Sequence, residues 1–261
     1  MSRDAAAIIV AGGQGRRFDT CLPAGRTRVR KQYLAIQGRP LLWWALHAFE
    51  RCRSIGATVL VVPREDLARV RRLIRGWRLR KPVHVVSGGE TRADSVRQGL
   101  VGLPPGYRWV AVHDAVRPLV TPDLIENVLK AARRHRAAIA AYPSQDTVKL
   151  ARRSRVIERT LPRSGIWLAQ TPQVFERTLL ERAHGLRGNV HRGRWTVNRR
   201  KSAHGSRFTG HGVTDDAQLV ERLGVRVKLV EGSASNLKVT VPRDLQMAQW
   251  LLQRIKENGK R

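Results

Sequence analysis

At 261 residues the chain could be one α/β domain or two small ones, and it is long enough to bury a sizeable core. No apolar run approaches the ~20 residues that a membrane-spanning helix needs. The formal net charge of +30 raises the question of nucleic acid, but the basic residues are spread over nearly every segment and are overwhelmingly Arg. That spread fits a compositional bias as well as it fits a binding surface, and a specific phosphate site needs only a handful of the charges.

Two cysteines, Cys21 and Cys52, give neither a metal-ligand spacing nor a disulfide framework, as expected of a reducing cytoplasm. The N-terminal Met1-Ser2-Arg3-Asp4 lacks a signal-peptide pattern and leads directly into an apolar run of strand length, 5–10.

That strand feeds Ala11-Gly12-Gly13-Gln14-Gly15-Arg16-Arg17-Phe18, with Lys31 beyond it. A strand followed by a glycine-rich turn presents backbone N–H groups to phosphate, and Arg16, Arg17 and Lys31 add fixed positive charge. The dinucleotide fingerprint is excluded because Phe18 stands where its third glycine belongs, and no Gly-Lys-Ser/Thr completes a Walker A loop. The stretch reads as a nucleoside-triphosphate cradle or, more plainly, as a strand-to-helix turn.

Strand and helix then alternate. Residues 41–52 have helical periodicity, with Pro40 suited to the first turn, and 57–62 is a β-branched run closed by Pro63. A helix over 65–77 carries Leu67, Val70, Leu73 and Ile74 on one face. A strand at 83–86, a helix at 91–103 and a strand at 109–112 follow. Thr121-Pro122-Asp123 is a strong helix start, and 137–141 is strand-like. Such alternation implies a doubly wound, mostly parallel, Rossmann-like sheet with helices on both faces.

Two β-prone runs, 146–150 and 156–160, flank a polar tip and read as a projecting hairpin of the kind used to grip a second subunit. Residues 166–175 and 176–184 return to strand and helix. The 185–212 segment, rich in Arg, Gly, Ser and Asn, reads as a basic loop insertion. A helix at 214–223, a strand at 225–230 and a long helix at 241–256 complete a single domain spanning 1–261.

In a doubly wound sheet ligands bind at the carboxyl ends of strands, and the informative residues gather there. Gly13 to Arg17 follow the first strand, Gly88-Gly89-Glu90-Thr91-Arg92 the third, and His113-Asp114 the next. Asp114 beside a triphosphate suits Mg²⁺, which takes carboxylate and phosphate oxygens; the alternative is a turn Asp capping the Arg117-Pro118 loop.

Seven motifs occur in one order. They are Ala11-Gly-Gly-Gln-Gly-Arg-Arg17, Lys31-Gln-Tyr-Leu34, Gly88-Gly-Glu-Thr-Arg-Ala-Asp-Ser-Val96, Val112-His-Asp-Ala-Val-Arg-Pro118, Gln170-Thr-Pro-Gln-Val-Phe175, Val213-Thr-Asp-Asp-Ala217 and Asn236-Leu-Lys-Val-Thr240. Over nearly its whole length the chain resembles the 2-C-methyl-D-erythritol 4-phosphate cytidylyltransferases of non-mevalonate isoprenoid synthesis.

The resemblance implies transfer of CMP from CTP to methylerythritol phosphate, with Mg²⁺ or another divalent cation and release of pyrophosphate. It implies that Ala11, Gly12, Gly13 and Gly15 hold the triphosphate, that Arg17 and Lys31 stabilise charge on the α-phosphate, and that Gly89, Glu90 and Ser95 recognise cytosine. It places Asp114 on the metal and near the substrate, and Arg117, Thr171 and Lys238 on the substrate and the reacting phosphate. It implies a homodimer whose 146–163 arms cross, so that Thr147 and Arg163 complete the neighbour's site.

The chemistry is consistent with those residues. An ionised phosphate oxygen needs no general base, and bringing two anions together needs cations and N–H groups. The 18–30 and 185–212 segments are longer than the family usually has. Two rivals remain at this stage: a cytidylyltransferase for ribitol 5-phosphate or another polyol phosphate, and a basic nucleic-acid-binding protein, for which no recognisable motif is present.

Overall fold

Ala5–Val10 form β1, and alternate residues of this one strand enter two different cores. Ala5, Ala7 and Ile9 face a cluster with Leu42, Phe49, Ile125 and Leu129. Ala6 and Ile8 face another with Val96, Leu100, Leu180 and Val220. A strand buried on both sides needs apolar residues at every position, which is why β1 reads as an unbroken run.

This computed structural model describes residues 3–13, 30–152, 154–186 and 212–258. The expected basic loop therefore lies almost wholly outside the described residues, as do Gly15 and Arg17.

In chain order after β1 come the short β2 (Ala35–Ile36) and β3 (Arg39–Pro40), α1 (Leu41–Arg51), β4 (Ile55–Val62), α2 (Leu67–Gly76) and β5 (Val83–Ser87). Then follow α3 (Arg92–Val101), β6 (Trp109–Asp114), α4 (Pro122–His135) and β7 (Ala137–Pro143). The rest comprises β8 (Val148–Ala151), β9 (Ile157–Leu161), β10 (Trp167–Glu176), α5 (Arg177–Ala183), α6 (Asp216–Glu221), β11 (Lys228–Glu231) and α7 (Pro242–Asn258).

Among the described residues the main sheet has seven strands in the order β11-β7-β10-β6-β1-β4-β5. β1 pairs in parallel with both β4 and β6, and only β10 runs against its neighbours β6 and β7. The doubly wound, mostly parallel α/β expectation is met, and the chain reverses its direction across the sheet at β1. The expected hairpin strands are also present: β8 and β9 pair antiparallel as a separate two-stranded sheet.

Local rules explain the helix starts. Thr121 caps α4 by accepting from the Leu124 N–H at 3.2 Å, with Pro122 in the first turn. Thr91 and Asp94 form a reciprocal capping box at α3. Several details differ from the sequence reading: the strand expected over 225–230 forms at Lys228–Glu231, and the helix expected over 214–223 spans Asp216–Glu221. Pro40 ends β3 and serves as the residue before α1, because the β2–β3 ribbon uses its backbone. The strand expected over 109–112 runs on to Asp114, because Ile9 and Val10 of β1 still pair with His113 and Asp114.

A third cluster closes the structure. Ile36, Leu41, Val116 and Val239 pack against Ala248 and Leu252 of α7. This holds the 236–240 segment over the carboxyl end of β6, where Val239 N–H bonds to Val116 O at 2.9 Å.

Candidate active site

The carboxyl ends of β1, β5 and β6 carry the residues of interest. Ala11 is locked by its N–H to Val61 O at 2.7 Å and by Gln32 Nε2, which donates to Ala11 O at 2.7 Å. Tyr33 OH donates to Asp66 Oδ2 at 2.8 Å, and Arg30 pairs with Asp66 at 2.6 Å and also with Glu65. Burial and the Asp66 contact push the Tyr33 phenol pKa up, so it stays a donor. Gln32 and Tyr33 therefore root the Lys31-Gln-Tyr turn on both sides, which accounts for that motif. Through Gln32 the turn that carries Lys31 is tied to Ala11, the residue that follows β1.

Ser95 joins the first glycine loop to the second. Its Oγ accepts from Gly89 N–H at 3.2 Å, and a Cβ added to Gly12 would lie 3.2 Å from the same oxygen. A Cβ at Gly89 would collide with Asp94 in the first turn of α3, so a side chain cannot be fitted there without moving the loop. Gly12, Gly89 and Ser95 thus come together, with Gly89 exposed like Gly13 and Glu90.

Asp114 is the electrostatic centre. It is buried at 6% exposure, and its two oxygens are taken by different cations: Oδ1 by Arg92 Nε at 3.1 Å and Oδ2 by Lys238 Nζ at 2.7 Å. Arg117 Nε lies 4.0 Å from Oδ2. Burial opposes ionisation of this carboxyl, but Arg92, Lys238 and Arg117 outweigh it and hold the pKa well below the usual carboxylate range. Asp114 is therefore a permanent anion. The turn alternative is also partly realised, through the backbone: Arg117 N–H donates to Asp114 O at 2.9 Å.

Thr171 reaches this cluster because β10 departs from its ladder between Ala169 and Gln173. Its Oγ1 accepts from Asp114 N–H at 3.2 Å and lies 2.9 Å from His113 Nδ1. His113 Nε2 lies 3.1 Å from the Arg117 carbonyl, which only accepts, so Nε2 carries the proton and Thr171 donates to Nδ1. Burial lowers the His113 pKa to about 4. Both ring nitrogens are committed, so the histidine at the strand end positions neighbours and is no general base.

Arg117 Nη1 donates to Asn236 O at 2.7 Å, and Asn236 Nδ2 donates to Thr171 O at 2.9 Å. Asp114, Arg117, Thr171 and Lys238 are thus one connected group. Two guanidinium nitrogens beside Asp114, Arg92 Nη2 and Arg117 Nε, are buried without a hydrogen-bond partner among the described residues. An unmet buried N–H costs about 1–3 kcal/mol, so such groups suit a ligand oxygen or a water.

Thr147 and Arg163 sit elsewhere. Thr147 precedes β8, Arg163 opens the turn after β9 and donates to Gln145 O at 3.0 Å, and both are exposed. They belong to the hairpin and its following turn. Sequence reasoning assigned no role to Arg92, Gln32, Asn236 and Asp216. All four stand inside the quoted motifs, and that was the signal available.

The comparisons with known proteins follow the same pattern. The family model described as "2-C-methyl-D-erythritol 4-phosphate cytidylyltransferase" matches residues 5–254. A protein of that name from Syntrophus aciditrophicus is 40% identical over 255 residues, covering 97% of each chain. One from Thermosynechococcus vestitus is 38% identical, covering 96% of each. Among solved structures, 4-diphosphocytidyl-2C-methyl-D-erythritol synthase from Anaerococcus prevotii superposes with a TM-score of 0.75 at 28% identity, over 95% of this chain and 98% of that one. With its motifs assembled at the strand ends and its length matched throughout, this chain belongs to the 2-C-methyl-D-erythritol 4-phosphate cytidylyltransferase family.

Proposed function

We propose that the protein transfers CMP from CTP to 2-C-methyl-D-erythritol 4-phosphate and releases pyrophosphate, a step of non-mevalonate isoprenoid precursor synthesis. The observation that carries this reading is the cation cluster on Asp114, together with the Gly12–Ser95–Gly89 group, with no general base among the described residues there.

An acceptor phosphate oxygen attacks the α-phosphorus of CTP. A new P–O–P bridge forms, the bond between the α-phosphorus and its bridging oxygen breaks, and pyrophosphate leaves with that electron pair. The acceptor oxygen is already ionised, so the protein's task is to hold two anions together and neutralise the charge that builds up. Backbone N–H groups after β1 hold the triphosphate, and Arg17 and Lys31 take the α-phosphate charge. Lys238, on a flexible stem with its side chain 34% exposed, turns between Asp114 and the reacting phosphate. Arg117 and Thr171 seat the acceptor.

The donor set fits Mg²⁺. Magnesium takes carboxylate, phosphate and water oxygens, so a single carboxylate beside the triphosphate would suffice to hold it. Asp114 would supply that carboxylate, since Arg92 and Lys238 occupy only part of its lone-pair capacity. When bound, such an ion neutralises charge on the phosphates.

The hairpin supports a homodimer. Val156 and Ile157 on the arm are 62% and 58% exposed, and Leu168 near its base is also exposed. A second copy of the chain would cover these residues and receive Thr147 and Arg163 in its site. The free, buried Cys52 is in keeping with a cytoplasmic enzyme. Among the described residues no helix is long and apolar enough to cross a membrane.

Nucleotide choice tests the base pocket. Cytosine and uracil exchange a donor for an acceptor, and each buried group left unpaired costs about 1–3 kcal/mol. Pyrophosphate release with methylerythritol phosphate is expected to be at least about tenfold faster with CTP than with UTP, ATP or GTP at equal concentration. Equal turnover with UTP contradicts the assignment of Gly89, Glu90 and Ser95.

A further inference from the structure

The Val213-Thr-Asp-Asp-Ala217 motif has no part in the chemistry described so far, and the structure puts it against Arg92. Arg92 bridges two buried carboxylates from distant parts of the chain: Nε to Asp114 at 3.1 Å and Nη1 to Asp216 at 2.7 Å. Asp216 is 1% exposed and held on every side. Its Oδ1 accepts from His184 Nε2 at 3.0 Å, and its own N–H donates to Gln173 Oε1 at 3.1 Å. Gln173 also accepts from Ala217 N–H at 3.2 Å and donates to Asp215 Oδ2 at 2.9 Å. Asp215 in turn caps α6 through the Gln218 N–H.

The α6 terminus, β10 and the end of α5 therefore form a rigid socket that fixes one end of the Arg92 guanidinium. The other end points at the only Asp114 oxygen that Lys238 does not hold. A guanidinium anchored at one arm presents its second arm in a fixed direction, which an ammonium on a free stem does not.

We propose that Arg92 is a positioning residue for Asp114, and that Asp216, braced by His184, sets its reach. When Lys238 swings to the reacting phosphate, Arg92 is the cation that keeps the Asp114 carboxylate in place. Arg92 also stands in the first turn of α3, directly after the Gly88-Gly89 loop, so one residue ties the base side of the pocket to the acceptor side. The inference rests on the reading given under Proposed function.

The test uses the full-length Asp216→Asn, Arg92→Lys and doubly substituted proteins, with thermal melts alongside steady-state kinetics. Each single variant is expected to melt cooperatively and to lose about tenfold or more in kcat, with the KM for CTP within about twofold of wild type. Because both act through one contact, the double variant should be no more than about threefold worse than the poorer single one. A wild-type kcat in either variant, losses that multiply fully, or an equal rise in KM for both substrates would overturn the proposal. If Asp216→Asn fails to fold, His184→Gln carries the test: a kcat loss of about threefold or more at unchanged CTP KM supports it, and a wild-type kcat overturns it. A wild-type protein that makes no product from CTP and methylerythritol phosphate would instead overturn the proposed function itself.

Discussion

Lys238→Met is expected to lower kcat by about 10²–10³-fold while leaving a cooperatively folded protein. Methionine keeps the length and apolar stem of the side chain and removes the charge. In the resting structure Lys238 Nζ holds Asp114 Oδ2 at 2.7 Å, but Arg92 and Arg117 remain beside that carboxylate when the lysine is gone. Those remaining cations limit the stability cost of leaving the buried Asp114 carboxylate without Lys238. The catalytic cost should be large if, as proposed, the ammonium meets the charge that accumulates as two phosphates join. Lys238→Arg should recover only part of the loss, for a planar fork fills a point-charge position poorly. Activity of Lys238→Met within threefold of wild type would reduce Lys238 to a counter-ion of Asp114.

Mixing two inactive proteins, Arg163→Ala and Asp114→Ala, is expected to restore activity. If the 146–163 arms cross, Arg163 serves the partner's site and Asp114 its own. In a mixed dimer one site then inherits both lesions and the other neither. At equal concentrations about half the dimers are mixed, so activity should return to about a quarter of wild type under conditions that exchange subunits. The structure is consistent with this arrangement in two ways: Arg163 is exposed and donates to the Gln145 carbonyl, and the hairpin carries the apolar residues Leu150, Val156 and Ile157 on its surface. No recovery despite demonstrated exchange would mean that Arg163 serves its own subunit or no site at all.

The sequence was most legible where local physics decides the outcome. Strands buried on both faces must be apolar throughout, so β1, β4 and β6 stood out as β-rich runs, and the cap Thr121 announced its helix. The hairpin was legible because two β-prone runs flank a polar tip. Asp114 was found through its place at a strand end, yet nothing in the residues around it tells that the strand includes it. That depends on pairing with Val10, more than a hundred positions earlier.

The β2–β3 ribbon has two residues in each strand, too few to show an alternation. The Arg92–Asp216 pair spans 124 positions and the His184–Asp216 pair 32, so no spacing rule reaches them. Their motifs marked them as present without saying what they touch. Gly15 and Arg17, expected at the phosphates, lie outside the described residues, and their roles rest on the family alone.

The central claim is the identity of the transfer, and it is tested most directly by following phosphorus. Purified protein with CTP and Mg²⁺ should be offered methylerythritol phosphate, ribitol 5-phosphate and glycerol phosphate in turn, and the products read by ³¹P NMR. The account predicts a coupled pair of diphosphate resonances, with one equivalent of pyrophosphate, for methylerythritol phosphate and at least about a hundredfold less product for the other two acceptors. Preferred formation of the ribitol product, or no transfer to any of the three by a folded protein, would contradict it.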